Sequence, residues 1–212
     1  MRVTYDNYEF DAHLNNIKEL LEKDGVEIEL NKIERERRIY ALATIDIYDI
    51  IIYISEHKLE LLIGGLGGNL VSNLIWKAIE SIWAKITNHK FHILQSGQLK
   101  EREGNVLLIV QVKKDKEFNF KLNSNIKQEL IPETLDKLNQ FINNKSDEVL
   151  KDEDNLATDN KGKKIFRVRF NPDNKVWIAV PLTDNEKHMR ELRKQYEQKD
   201  DKDNLETKNQ IV

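Results

Sequence analysis

Hydrophobic residues recur every three or four positions in three parts of the chain, and this spacing predicts three helices. The first runs from Asp11 to Lys23. The second follows a cluster of four glycines, has Asn69 as its N-cap and continues to Ile86. The third covers Asn123 to Asn144 and is expected to restart at Pro132, because proline fits the first turn of a helix but not its interior.

Segments rich in β-branched and aromatic residues, or alternating between apolar and polar positions, predict strands. These segments are Val26–Leu30, Ile39–Ile54, Leu59–Ile63, Phe91–Leu94, Val106–Val112 and Phe118–Leu122. The later strands are separated by short links at Gly97–Gly104 and Lys113–Lys116, which favour antiparallel pairing of neighbours.

The C-terminal third contains a predicted hairpin and a polar helix. The hairpin joins Ile165–Phe170 to Val176–Val180 through a turn of Asn171, Pro172, Asp173 and Asn174, residues that suit a type I turn. The helix covers Thr183 to Gln198, and its apolar stripe is limited to Met189, Leu192 and Tyr196. A stripe this narrow predicts a surface helix or one that packs against another chain.

These elements predict an α+β fold: a mostly antiparallel sheet with two main helices packed on one face, plus a C-terminal β-hairpin and polar helix. The expected division is a core domain over residues 1–145 and an acidic linker or loop over residues 146–163. It continues with a hairpin-and-helix appendage over residues 164–198, either separate or part of the same domain, and a disordered tail over residues 199–212.

Composition narrows the classes of function. The chain of 212 residues has no cysteine, which excludes disulfides, thiolate zinc sites and a cysteine nucleophile. The N-terminal residues lack the apolar run of a signal peptide, so we expect an intracellular, cytoplasmic protein. The longest uncharged run, Leu61 to Trp76, has 16 residues, fewer than the roughly 20 that a membrane span needs. Membrane-surface contact is disfavoured, since few cations accompany the apolar stripe.

The glycine cluster before the second helix has three interpretations. It can form a tight strand-to-helix turn, which we prefer, or contact a membrane. It can also form an anion site, in which the amides of Gly67, Gly68 and Asn69 face a phosphate at the helix start. A P-loop would have Lys followed by Ser or Thr at that point, and this chain does not.

An acidic stretch, 146–160, is followed by a basic one, 161–175. The basic residues Lys163, Lys164, Arg167 and Arg169 could neutralise phosphates, with Phe166, Phe170 and Trp177 stacking on bases if exposed. The structural alternative is that the aromatics form the buried face of the hairpin and the cations pair with the acidic stretch.

Candidate catalytic residues are few. Asp46, Glu56 and Lys58 have the loose form of a nuclease centre in which carboxylates hold magnesium and a lysine assists water. His89 and His92 are the closest histidine pair, but a three-residue offset on a strand puts them on opposite faces. We therefore predict no metal site and no cofactor.

The leading hypothesis is a non-catalytic, intracellular protein-interaction or regulatory module, with a protein partner or self-association through Met189, Leu192 and Tyr196. The first alternative is a nucleic-acid-binding protein that uses the basic hairpin 161–175. The second alternative is a metal-dependent hydrolase or nuclease.

Overall fold

The computed structural model describes residues 1–5, 8–33, 48–63, 70–95, 97–123, 126–149, 156–158, 162–180, 182–183 and 187. Its four α-helices are α1 (Asp11–Lys23), α2 (Glu56–Ile63), α3 (Leu70–Thr87) and α4 (Ile131–Val149). Its first five strands are β1 (Arg2–Tyr5), β2 (Glu29–Lys32), β3 (Ile50–Ile54), β4 (Phe91–Gln95) and β5 (Gln98–Arg102). The remaining strands are β6 (Asn105–Lys113), β7 (Lys116–Asn123), β8 (Ala157–Thr158), β9 (Lys164–Asn171) and β10 (Val176–Ala179).

Eight of these strands form one mixed sheet in the order β10-β9-β7-β6-β3-β1-β2, with β8 added beside β9. The pairs β1–β2, β3–β6 and β7–β9 are parallel, and the remaining pairs are antiparallel. The prediction of a mostly antiparallel sheet is therefore wrong. The reason is that α1, α2 with α3, and α4 each lie between two strands that pair in parallel, and such crossovers carry the chain back to the same end of the sheet.

One face of the sheet and all four described helices form a single hydrophobic core. The strands contribute aligned rows of residues such as Ile52, Leu108 and Phe120, because alternate positions of a strand point to the same face. The helices contribute apolar stripes that include Leu14, Ile79 and Leu138. Fully buried side chains in this core stabilise the folded chain by about 1.5–3 kcal/mol each relative to exposed ones.

Helix α2 corrects one sequence prediction. Residues 59–63 were expected to be a strand but form the second half of this helix. The carbonyl of Ser55 accepts the amides of Lys58 and Leu59 at 2.9 and 3.0 Å and so starts the first turn. Leucine, glutamate and lysine dominate the segment, and these residues, which are not branched at Cβ, favour helix over strand.

Other predictions fare better. Helix α1 has the predicted bounds, and α3 begins at Leu70 as expected. The third helix was predicted from Asn123, but Asn123 ends β7 and α4 begins only at Ile131, with Pro132 as its second residue. The predicted C-terminal hairpin is present as β9 and β10, and β9 joins the main sheet beside β7. Within the described residues, no helix is both long and apolar enough to cross a membrane.

Strands β4 and β5 form a separate two-stranded hairpin. The prediction of a short link at Gly97–Gly104 is wrong, because β5 occupies most of that range. A buried ion pair anchors its base. Arg102 donates from both terminal nitrogens to the carboxylate of Asp49, which is 3% exposed and also accepts the amide of Asn105 at 2.9 Å. The Arg102 guanidinium lies 4.8 Å from the centre of the buried Phe91 ring. We call these residues the hairpin clasp.

Candidate functional site

The face of the main sheet opposite the helices carries polar and charged side chains beside a central apolar strip of Ile51, Leu107 and Ile109. The strand periodicity that points the core residues to one side points their neighbours to the other. The residues that define this polar face are Arg2, Glu29, Tyr53, Gln111, Glu117, Asn119, Lys121, Lys163, Arg167 and Arg169. Five of them are cations and two, Glu29 and Glu117, are carboxylates, so the face is basic although the whole chain has a net charge of −3.

Three cations meet where β7 and β9 pair. The parallel register sets Arg169 beside Lys121 and Arg167 beside Asn119. Neighbouring strands are about 4.8 Å apart, so these side chains rise from adjacent points of one surface. Arg169 is exposed, whereas Arg167 and Lys121 are half-buried.

A second cluster centres on Tyr53. Its hydroxyl donates to Gln111 Oε1 at 2.5 Å, and the Arg2 guanidinium lies 5.0 Å from the ring centre. Lys163 Nζ lies 5.5 Å from the same ring and 2.5 Å from Glu117 Oε2. Glu117 is only 6% exposed, so Lys163 neutralises a nearly buried carboxylate. This cluster ties the start of β9 to β3 and β7.

The four basic hairpin residues that were predicted to contact phosphates do not all lie on the same face of the sheet. Lys163, Arg167 and Arg169 belong to the polar face. Lys164 occupies the alternate register position, the one shared with Phe166. Phe166 and Trp177 are 2% and 6% exposed in the core, so neither ring is available to stack on a base.

Arg2, Tyr53 and Lys121 were not singled out from the sequence. They come from three different strands, and only the strand order brings them to one face with Arg167. The sequence does contain one local indication of this face. Arg167 and Arg169 alternate with Phe166 and Val168, which predicts that the two arginines share the face of the strand opposite the apolar residues.

The described residues do not bring the candidate nuclease residues together in one site. Asp46 lies outside the described residues, and Glu56 and Lys58 lie in the first turn of α2. Lys58 Nζ donates to the carbonyl of Glu27 at 2.8 Å and lies 3.8 Å from Glu27 Oε2. Lys58 therefore already holds the segment before β2, beside a cleft of about 220 Å³ that Tyr53 also lines.

His89 and His92 have different neighbours. His89 Nε2 is 3.2 Å from Glu9 Oε2, while His92 is exposed and stands opposite Glu101 in the hairpin. In the described part of the chain, no group of three or more histidine, aspartate or glutamate residues is arranged to hold a metal ion.

A further charged cluster lies at the β2 edge of the sheet. Lys32 Nζ is 2.5 Å from Asp11 Oδ2, and this ammonium group holds the pKa of Asp11 below its usual value. Burial, followed by a hydrogen bond with Asp11, raises the pKa of the Tyr5 hydroxyl. The cluster pins β2 to the start of α1, and each of its charges has a partner within the cluster.

The remaining predicted sites cannot be placed. Gly67, Gly68 and Asn69 of the anion-site hypothesis lie outside the described residues, as do Met189, Leu192 and Tyr196 of the interaction stripe. Comparison with known proteins adds no assignment, because no protein-family model, curated protein or solved structure matches this chain.

Proposed function

We propose that the polar face binds single-stranded nucleic acid through its phosphates, without catalysis. The observation that carries this proposal is the meeting of Arg167, Arg169 and Lys121 on one surface of the sheet. Arginine and lysine release counterions from a nucleic-acid backbone when they contact phosphates, and this release supplies most of the affinity of sequence-independent binding.

The width of the face favours a single strand over a duplex. Seven strands side by side span about 29 Å at 4.8 Å per spacing. The major groove of B-form DNA is about 12 Å wide and admits a helix or a two-stranded ribbon, not a broad sheet. A flexible single strand can instead lie along the cations.

The polar face also favours binding without sequence preference. Tyr53 is the aromatic residue of the defined face, and its ring lies near both Arg2 and Lys163, so it is not free to stack on a base. Base stacking and base-edge hydrogen bonds are the usual sources of sequence preference. The proposed binding therefore depends on the charge and shape of the strand and not on its base sequence, and its affinity should fall steeply as the salt concentration rises.

The test is fluorescence anisotropy with a labelled 20-nucleotide DNA of mixed sequence, measured from 20 to 200 mM salt. Each phosphate contact contributes about −0.7 to the slope of log affinity against log salt for single strands. Replacing Arg167 and Arg169 together with alanine should reduce that slope by about 1.4 and weaken binding at least tenfold. The matched control replaces Lys90 and Lys127, which are 75% and 78% exposed at other places on the surface.

The proposal fails if the wild-type chain does not bind at 20 mM salt. It also fails if the control pair weakens binding as much as the arginine pair, because net charge alone would then explain the affinity. The protein-interaction module remains a prediction that rests on Met189, Leu192 and Tyr196, and no contact among the described residues adds to it.

A further inference from the structure

The β4–β5 hairpin stands apart from the main sheet. Its register pairs Phe91 with Arg102 and Gln95 with Gln98, and no other described strand pairs with either of its strands. Its base is held by the hairpin clasp, but the outer four residues of β5 are all exposed, and Leu99 is 70% exposed. An isolated two-stranded hairpin is marginally stable in water, and a third strand is the usual remedy.

The geometry of the hairpin fixes which backbone groups of β5 point outward. Gln95 and Gln98 are paired across a two-residue loop that includes Gly97, whose φ is +76°. In such a hairpin the closing pair exchanges hydrogen bonds, and every second pair after it does the same. The amide and carbonyl groups of Leu99 and Glu101 therefore point away from β4, as a template for another strand.

We propose that two copies of this chain pair through β5 in antiparallel fashion, centred on Leu99, to form a four-stranded sheet across a two-fold axis. This inference is independent of the nucleic-acid proposal. In this register Leu99 faces Leu99 of the second copy, and Gln98 faces Lys100 of the second copy. The contact removes the exposed leucine from water on both sides and requires no charge to face a like charge.

The other symmetric registers that use the outward groups are worse. Centring the pair on Lys100 places two lysines opposite each other, and centring it on Glu101 places two glutamates opposite each other. Like charges directly across a pair of strands destabilise it. The charges of β5 therefore select the Leu99 register. The contact is small compared with a standard interface, so the dimer should depend on concentration in the micromolar range or above.

The first test uses the absence of cysteine from the chain. A Leu99→Cys variant can form a disulfide only between copies, and hydrogen-bonded antiparallel pairs have Cα atoms about 5.5 Å apart, within the range that a disulfide spans. Leu20→Cys is the matched control, since Leu20 is 59% exposed on α1. We expect Leu99→Cys to cross-link at least tenfold faster under mild oxidation. Equal rates would overturn the proposal.

The second test is sedimentation of the full chain from 5 to 500 µM without nucleic acid. The wild-type chain and Leu20→Lys should show the same rise in mass with concentration. Leu99→Lys should remain a monomer, because two ammonium groups would meet at the axis. A wild-type chain that is monomeric at every concentration, or a dimer that survives Leu99→Lys, would refute the pairing. Circular dichroism confirms that each variant is folded.

Discussion

The hairpin clasp allows a quantitative prediction. Arg102→Met removes the partner of the Asp49 carboxylate, which is 3% exposed and keeps the Asn105 amide at 2.9 Å as a donor. An uncompensated buried charge of this kind costs about 3–5 kcal/mol of unfolding free energy. Asp49→Asn keeps an acceptor for that amide and leaves Arg102, which is 19% exposed, in contact with some water, so we expect a smaller loss of about 2 kcal/mol.

The double variant decides whether the ion pair is responsible. Once Asp49→Asn has made position 49 neutral, adding Arg102→Met leaves no charge unpaired, so the two changes together should cost less than their sum by about 1–3 kcal/mol. The assay is urea unfolding followed by tryptophan fluorescence, because Trp83 and Trp177 are buried reporters. Lys127→Met, which removes an exposed ion pair, is the control and should leave stability unchanged.

The result that would refute this reasoning is additivity. If the double variant costs the sum of the single variants within about 0.5 kcal/mol, Asp49 and Arg102 do not stabilise each other as a pair. A cost below about 1 kcal/mol for Arg102→Met would show that water solvates the Asp49 carboxylate, contrary to its burial.

Three further predictions concern the core and its pH dependence. Ile79→Asp should unfold the chain, because Ile79 is fully buried and an aspartate there would lack a partner; a folded variant by circular dichroism would contradict this. Gly104→Ala should cost about 1–3 kcal/mol in urea unfolding, since its Cβ would lie 2.4 Å from Phe91 Cε2, and an unchanged midpoint would refute the clash. Burial lowers the pKa of His13 below its ordinary 6.5, so the unfolded chain binds the proton more readily and stability should fall as pH drops through 6.5. His13→Asn should lose stability less steeply than the wild-type chain between pH 8 and 5, and equal slopes in urea unfolding would count against this.

Local patterns predicted local structure well. The periodicity of α1 and α3 and the turn chemistry between β9 and β10 each specify an element within a short window of sequence. The local patterns failed where one short segment has features of both a strand and a helix. Residues 59–63 are apolar enough for a strand, but four of the five lack branching at Cβ, and this together with the carbonyl of Ser55 favours helix α2. Strand β5 lacks an apolar pattern because its side chains face water.

Strand order and the polar face could not be predicted in the same way. Strand β7 pairs with β6 and also with β9, which begins more than 40 residues later, so no local pattern of either strand identifies the β7–β9 pair. The alternation along β9 predicts which face of the strand carries Arg167 and Arg169. Their proximity to Lys121 could not be predicted, because it depends on the register between β7 and β9. The Tyr53 cluster likewise joins residues from both halves of the chain.

The late position of β9 has a consequence for synthesis. Strand β7 ends at Asn123 and its later partner, β9, ends at Asn171, so roughly 50 residues separate the two ends. Synthesis of these residues takes about 2–10 s at 5–20 residues per second. During that interval β7 forms the edge of a nascent sheet, and Phe118 lacks the ring of Phe166 that packs 5.6 Å from it in the finished protein. A ribosome stalled before residue 164 would therefore present an apolar, unpaired strand, which is the kind of surface that chaperones capture.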